Sequence, residues 1–93
     1  MDTQFLFTFV NVVDRGSMAA AARFLNITPA AVAQQIRTLE RELGVPLIAR
    51  AGRTVTVTEE GARILERVRA VLRDVSDLRS VANESGLSGE LRL

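Results

Sequence analysis

Thr28-Pro29 and Gly44-Val45-Pro46 bracket a stretch that has one good way to fold. A threonine hydroxyl can cap the first free N–H groups of a helix, and proline at the first helical position loses nothing, because its missing N–H would have no partner there. Gly44 supplies a left-handed exit and Pro46 prevents the helix from resuming. Between these signals Val32, Ile36, Leu39 and Leu43 recur at spacings of four, three and four, one face of a helix. Upstream, Ser17 is an N-cap candidate for a short alanine-rich helix, Met18 to Leu25, and Asn26-Ile27 leave a turn of about three residues before the next helix, a helix-turn-helix spacing.

The flanks extend this unit. Leu6, Phe9, Val10 and Val13 define one face of an earlier helix that Gly16 ends near Asp14 or Arg15. After Pro46, the pair Leu47-Ile48, a turn at Ala51-Gly52-Arg53 and the alternating Thr54-Val55-Thr56-Val57 predict a small β-hairpin. Thr58 then caps a long helix whose first turn carries Glu59 and Glu60, the charge sign favoured at a helix N-terminus. Ile64, Leu65, Val68, Val71, Leu72, Val75, Leu78 and Ala82 form its apolar stripe. Helical from 59 to 84, this rod is about 39 Å long, more than a three-helix domain can shield, so part of the stripe is expected to meet another chain. Ser85-Gly86-Leu87-Ser88-Gly89 predicts a linker, and Glu90 to Leu93 the start of a strand.

Side-chain chemistry narrows the functions open to such a fold. The chain has no Cys, His, Lys, Tyr or Trp, which removes thiol nucleophiles, imidazole acid–base catalysis, Schiff bases, Cys/His metal sites and Tyr or Trp platforms for RNA bases. Carboxylate pairs such as Glu59-Glu60 have no flanking loop that would place them in a cleft, so neither an enzyme nor a cofactor or metal site is expected. No apolar run approaches the ~20 residues that span a bilayer, and no basic leader precedes a cleavage site, so the expected location is the cytoplasm. The net charge of +1 says little, but residues 23–53 hold five arginines against two glutamates.

With Val32, Ile36, Leu39 and Leu43 buried, a rotation of about 100° per residue puts Ala30, Gln34, Arg37, Thr38 and Arg41 on the opposite side of the third helix. Its first half is small and polar, as a DNA major groove requires. Gln34 can pair with adenine N6 and N7, Pro29, Ala30 and Ala33 can touch thymine methyls, and Arg37 can reach a guanine or a phosphate. Most Gln/Arg helix faces are merely solvated. Here the face comes with a capped short helix, a tight turn and a hairpin flanked by Arg50 and Arg53, residues suited to phosphates or a narrow minor groove.

These residues resemble the LysR-type family of bacterial transcriptional regulators over residues 3–93. The resemblance rests on Phe9-Val10, Gly16-Ser17, Ala21-Ala22 and Leu25, on the continuous run from Thr28 to Glu40, and on Leu43 to Leu47, Arg50, Arg53, Thr58 and Gly61. It implies that Ser17, Thr28, Pro29, Ala30, Ala33, Gln34, Arg37, Arg50 and Arg53 occupy DNA-facing positions. Ala19, Ala30 and Ala33 stand where the family often has hydroxyl or proline side chains, which shifts the expected specificity toward Gln34, methyl contacts and DNA shape. Phe7 and Phe24 also depart from the pattern and are expected to cover the flank of the long helix, with a partner surface as the other reading.

The expected fold is mainly α: a winged helix-turn-helix over residues 1–58, a linker and dimerisation helix over 59–84, and a hinge with the start of an effector-binding domain over 85–93. Leu65, Val68, Leu72, Val75 and Leu78 are the expected dimer seam. The expected function is sequence-specific binding of double-stranded DNA as a homodimer on an interrupted palindrome. The resemblance further implies tetramers in a full-length protein and a small-molecule effector held by a C-terminal domain. Two other readings fit fewer of the residues: a helical dimerisation or adaptor module without DNA contact, and a winged-helix regulator of another family.

Overall fold

The computed structural model describes the backbone of residues 1–91 and the side chains of residues 1–84. Four helices and one hairpin follow in the order α1 (Thr3–Arg15), α2 (Met18–Leu25), α3 (Pro29–Leu43), β1 (Ile48–Ala51), β2 (Thr54–Val57) and α4 (Glu59–Leu91). This is a winged helix-turn-helix with a long C-terminal helix, as the sequence predicts.

The predicted punctuation marks are where the elements start and stop. Ser17 Oγ accepts from Ala20 N at 3.0 Å and Thr28 Oγ1 from Ala31 N at 3.0 Å, so α2 and α3 each start on a hydroxyl cap. Gly16 and Gly44 end α1 and α3 with φ of 78° and 76°, each donating its N–H to the carbonyl four residues earlier. Asn26 leaves α2 at φ 60°, the positive-φ non-glycine position among the described residues. The α1 cap is Asp2, whose Oδ1 accepts from Gln4 N at 2.8 Å.

The core gathers Leu6, Phe9, Val10 and Val12 of α1, Ala21 and Ala22 of α2, and Val32, Ile36 and Leu39 of α3, closed by Leu47, Val55 and Val68. Two polar side chains lie inside it. Thr8 is fully buried, its hydroxyl 2.6 Å from the side-chain oxygen of Gln35 and 3.1 Å from the Gln4 carbonyl, and Asn11 donates to the Phe7 carbonyl while accepting from Arg15 Nε. These partners offset the desolvation that would otherwise cost each group about 1–3 kcal/mol.

The hairpin pairs Ile48 with Val57 and Ala51 with Thr54, leaving a two-residue turn at Gly52-Arg53 with Gly52 at φ 65°. The turn is one residue shorter than the predicted Ala51-Gly52-Arg53, because Ala51 joins the ladder. Val55 N donates to the Gly16 carbonyl at 3.0 Å, and Thr58 closes the hairpin base, its N–H donating to the Leu47 carbonyl at 3.0 Å and its hydroxyl to the Pro46 carbonyl at 2.7 Å. The wing is therefore anchored to the body at both ends.

Along α4, Val68 is buried and Ile64, Leu65 and Leu72 pack against the core, whereas Val71, Leu78 and Val81 are exposed. Val68 corrects one residue of the expected dimer seam: α4 lies on α1 at this level, and that side chain belongs to the chain's own core. Asp14 and Arg69 join the two helices through two hydrogen bonds of 2.6 and 3.1 Å. The Arg69 hydrogen bond, supported by the charges of Arg69 and Arg15, holds the Asp14 carboxyl below its ordinary value. Phe7 lies beside Leu72 in the groove between α1 and α4, as expected. Phe24 packs on Phe7, ring centres 6.4 Å apart, under the Arg15 guanidinium.

The helix continues to Leu91, through the stretch predicted as a linker and into the predicted strand start. Each added residue of a formed helix contributes a hydrogen bond without a new nucleus, which carries it past Gly86 and Gly89. Residues 92 and 93 of that expected strand lie outside the described residues. Among the described residues no helix is long and apolar enough to cross a membrane.

Candidate nucleic-acid interface

Three separate elements place side chains on one side of the molecule. The N-terminus of α2, the first two turns of α3 and the hairpin turn enclose a concavity of about 520 Å³, and Ser17, Pro29, Ala30, Ala33, Arg50 and Arg53 all line it. Six of the nine residues singled out from the sequence thus converge, although they span 37 positions of the chain from Ser17 to Arg53. Gln34 and Arg37 follow on α3, both exposed, and Arg37 borders an adjoining hollow with Ala33, Ile48 and Arg50. Thr28 is exposed at the helix start, where its hydroxyl is engaged as the cap.

The elements fix this arrangement for local reasons. Thr28 and Pro29 set where α3 begins, and Val32, Ile36 and Leu39, all essentially buried, set which way it faces. The reverse side then presents Ala30, Gln34, Arg37 and Arg41 to solvent. Thr38, placed on that side from the sequence, is half-buried, and its hydroxyl donates back to the Gln34 carbonyl at 3.0 Å. Glu40 turns away: one carboxylate oxygen accepts from Leu47 N at 2.8 Å, tying α3 to the base of the wing.

Charge follows the same division. Among the described residues the ion pairs are Glu59–Arg63 and Asp14–Arg69, both on α1 or α4. Among the described residues Arg37, Arg41, Arg50 and Arg53 form no salt bridge, and small side chains such as Ala30 and Ala33 stand beside them. Met18, Ala19 and Thr54 also line the concavity and were not among the predicted site residues. The signal for them was local: Met18 and Ala19 follow the Ser17 cap, and Thr54 follows the turn arginine.

Comparison with known proteins places this geometry. The family described as bacterial regulatory helix-turn-helix protein, lysR family, matches residues 3–62. The HTH-type transcriptional activator IlvY of Salmonella typhimurium is 35% identical over 95 residues, covering 100% of this chain and 32% of its own length. The HTH-type transcriptional regulator ClcR of Pseudomonas putida is 40% identical over 87 residues, covering 91% of this chain and 30% of its own. The chain thus spans about a third of the length of these relatives. Among solved structures, the CbnR DNA-binding domain in complex with DNA superimposes with a TM-score of 0.87 at 30% identity, over 92% of this chain and 99% of that one. The BenM DNA-binding domain bound to catB site 1 DNA also gives 0.87, at 32% identity, over 92% and 96%. With its helix-turn-helix, wing and long helix all matched, the chain belongs to the LysR family of bacterial regulatory helix-turn-helix proteins.

Proposed function

We propose that this chain is the sequence-specific DNA-binding and dimerisation segment of a bacterial transcriptional regulator. The observation that carries the reading is the convergence of the α2 cap, the start of α3 and the wing arginines on one unneutralised concave face. Helix α3 enters the major groove with Gln34 toward base edges and Pro29, Ala30 and Ala33 toward methyl groups. Ser17 and Thr28 face the backbone, Arg37 supports the base contacts, and Arg50 and Arg53 hold phosphates or the adjacent minor groove. Relatives of the same fold seen in complex with DNA support this assignment.

The second half of α4 supplies the dimer. Leu78 and Val81 are 68% and 58% exposed, apolar side chains left uncovered among the described residues, and Val75 lies one turn before Leu78. A two-fold pair of such helices presents two reading heads and so selects an interrupted palindrome with half-sites about one helical turn, or a multiple of it, apart. Residues 1–58 are the reading unit and 59–84 the pairing helix. The remainder of a protein about three times this length holds a small-molecule effector domain, and the whole works in the cytoplasm as a dimer or tetramer.

Selection of bound duplexes from a random-sequence pool tests this directly. Enrichment of an interrupted palindrome establishes DNA binding and dimer geometry together. A pool that stays unenriched with folded protein refutes the DNA reading, and an asymmetric single half-site refutes the dimer.

A further inference from the structure

Gln34 and Arg37 lie one turn apart on the exposed side of α3, and Arg37 Nη2–H donates to Gln34 Oε1 at 3.0 Å. An exposed glutamine amide on its own rotates and presents its oxygen and its NH2 to either side. A hydrogen bond from a cation ends that exchange: the oxygen turns toward the guanidinium and the NH2 away from it. The oxygen keeps a second lone pair, so the amide can still accept and donate at once. Adenine offers the complementary set in the major groove, an N6–H donor beside the N7 acceptor.

The surroundings of Arg37 favour this pairing over an ion pair. Glu40, its neighbour one turn on, directs a carboxylate oxygen to Leu47 N, and among the described residues no carboxylate forms a salt bridge with Arg37. On the other side Thr38 Oγ1 donates to the Gln34 carbonyl at 3.0 Å and Arg41 Nη2 donates to Thr38 Oγ1 at 3.3 Å, so neither engages the Gln34 side-chain amide. We propose that Arg37 is a positioning residue for base readout: it holds the Gln34 amide in the orientation that adenine requires, so that the two side chains read one base as a unit. This rests on α3 lying in a major groove as proposed above. Pre-setting the amide also removes rotamer freedom that binding would otherwise have to remove.

The test is a double-mutant series on the 93-residue chain: wild type, Gln34→Ala, Arg37→Met and the double variant. The probes are the duplex recovered from the random pool and its single-base variants, at two salt concentrations. Both positions are exposed, and circular dichroism checks that the fold persists. Gln34→Ala is expected to relax preference at one base per half-site by about fivefold or more. Arg37→Met is expected to relax preference at that same base several-fold, and the double variant to discriminate there no worse than Gln34→Ala alone. The proposal is overturned if Arg37→Met weakens every duplex evenly with a shallower salt slope, the mark of a phosphate-binding side chain, or alters preference at a different base only. It is equally overturned if wild type prefers particular bases but Gln34→Ala changes none of them, since Arg37 would then have no reader to position. Absence of any duplex binding by folded wild type would refute the DNA reading itself, and with it this proposal.

Discussion

Gly61 sits in the first turn of α4, facing the Leu47 backbone just before the wing. A Cβ added there would lie 2.2 Å from the Leu47 carbonyl oxygen and 2.9 Å from its carbon, both backbone atoms. Helix propensity alone favours alanine over glycine by about 1 kcal/mol. The steric conflict wins, because the Leu47 carbonyl cannot retreat without losing its bond from Thr58 N. Gly61→Ala is expected to destabilise the fold by about 1–3 kcal/mol in urea unfolding. A residue on the wing behaves differently. Arg53→Ala at the exposed turn is expected to leave stability unchanged, to weaken selected and unrelated duplexes alike, and to make the salt slope shallower by about one unit for each phosphate that Arg53 neutralises. Should its removal instead penalise only duplexes with A/T-rich flanks, Arg53 is a minor-groove shape reader. The residues that the sequence disclosed were those whose type is dictated locally, the caps, glycines and apolar stripes. Thr8 was not legible, because its partner Gln35 is 27 positions away and is brought to it by the fold; Asn11 has its partners Phe7 and Arg15 within one turn of the same helix, and its burial depends on how α1 packs.

At the scale of elements, the helix boundaries were readable because each start carries its own chemistry. Thr28→Ala removes the hydroxyl that accepts from Ala31 N and is expected to cost about 1 kcal/mol in thermal or urea unfolding. The hairpin was legible as a hairpin, but β1 was not legible at full length. Arg50 and Ala51 carry no strand pattern, yet they pair with Val55 and Thr54 in the ladder. The ion pair that ties α1 to α4 was invisible in the sequence, since Asp14 and Arg69 are 55 positions apart. It has a definite pH signature. The carboxyl of Asp14 titrates lower in the folded than in the unfolded chain, so the pair stabilises the fold fully above the ordinary aspartate value near 3.8 and loses that contribution as pH falls through the lowered one. The two side chains are 41% and 48% exposed, which limits the effect to about 1 kcal/mol or less. Asp14→Asn is expected to be slightly less stable than wild type at neutral pH and equal to it at the acid end, as followed by urea unfolding across pH. A difference that instead grew toward acid pH would show that the carboxylate works against the fold.

The whole molecule measures 57 × 26 × 19 Å, and α4 accounts for the long dimension. Its apolar stripe told from sequence alone that more surface exists than one domain covers. Periodicity could not divide that stripe between the chain's own core and a partner, because both uses demand the same spacing. The fold makes the division: Ile64, Leu65, Val68 and Leu72 lie on the body, and Val71, Leu78 and Val81 are exposed. Leu78→Arg therefore leaves the domain intact and places an unpaired charge in the proposed seam, where burial is severely unfavourable. Sedimentation is expected to show a wild-type dimer and a folded monomeric variant, and an unchanged dimer would remove α4 from the interface. Binding of duplex DNA by the concave face of α2, α3 and the wing is measured by an anisotropy titration of a labelled duplex at a series of salt concentrations. Binding is expected, with log affinity falling linearly with log salt at about −0.9 for each phosphate neutralised. Folded protein that leaves the duplex unbound at about 50 mM salt, where such interactions are strong, would contradict it.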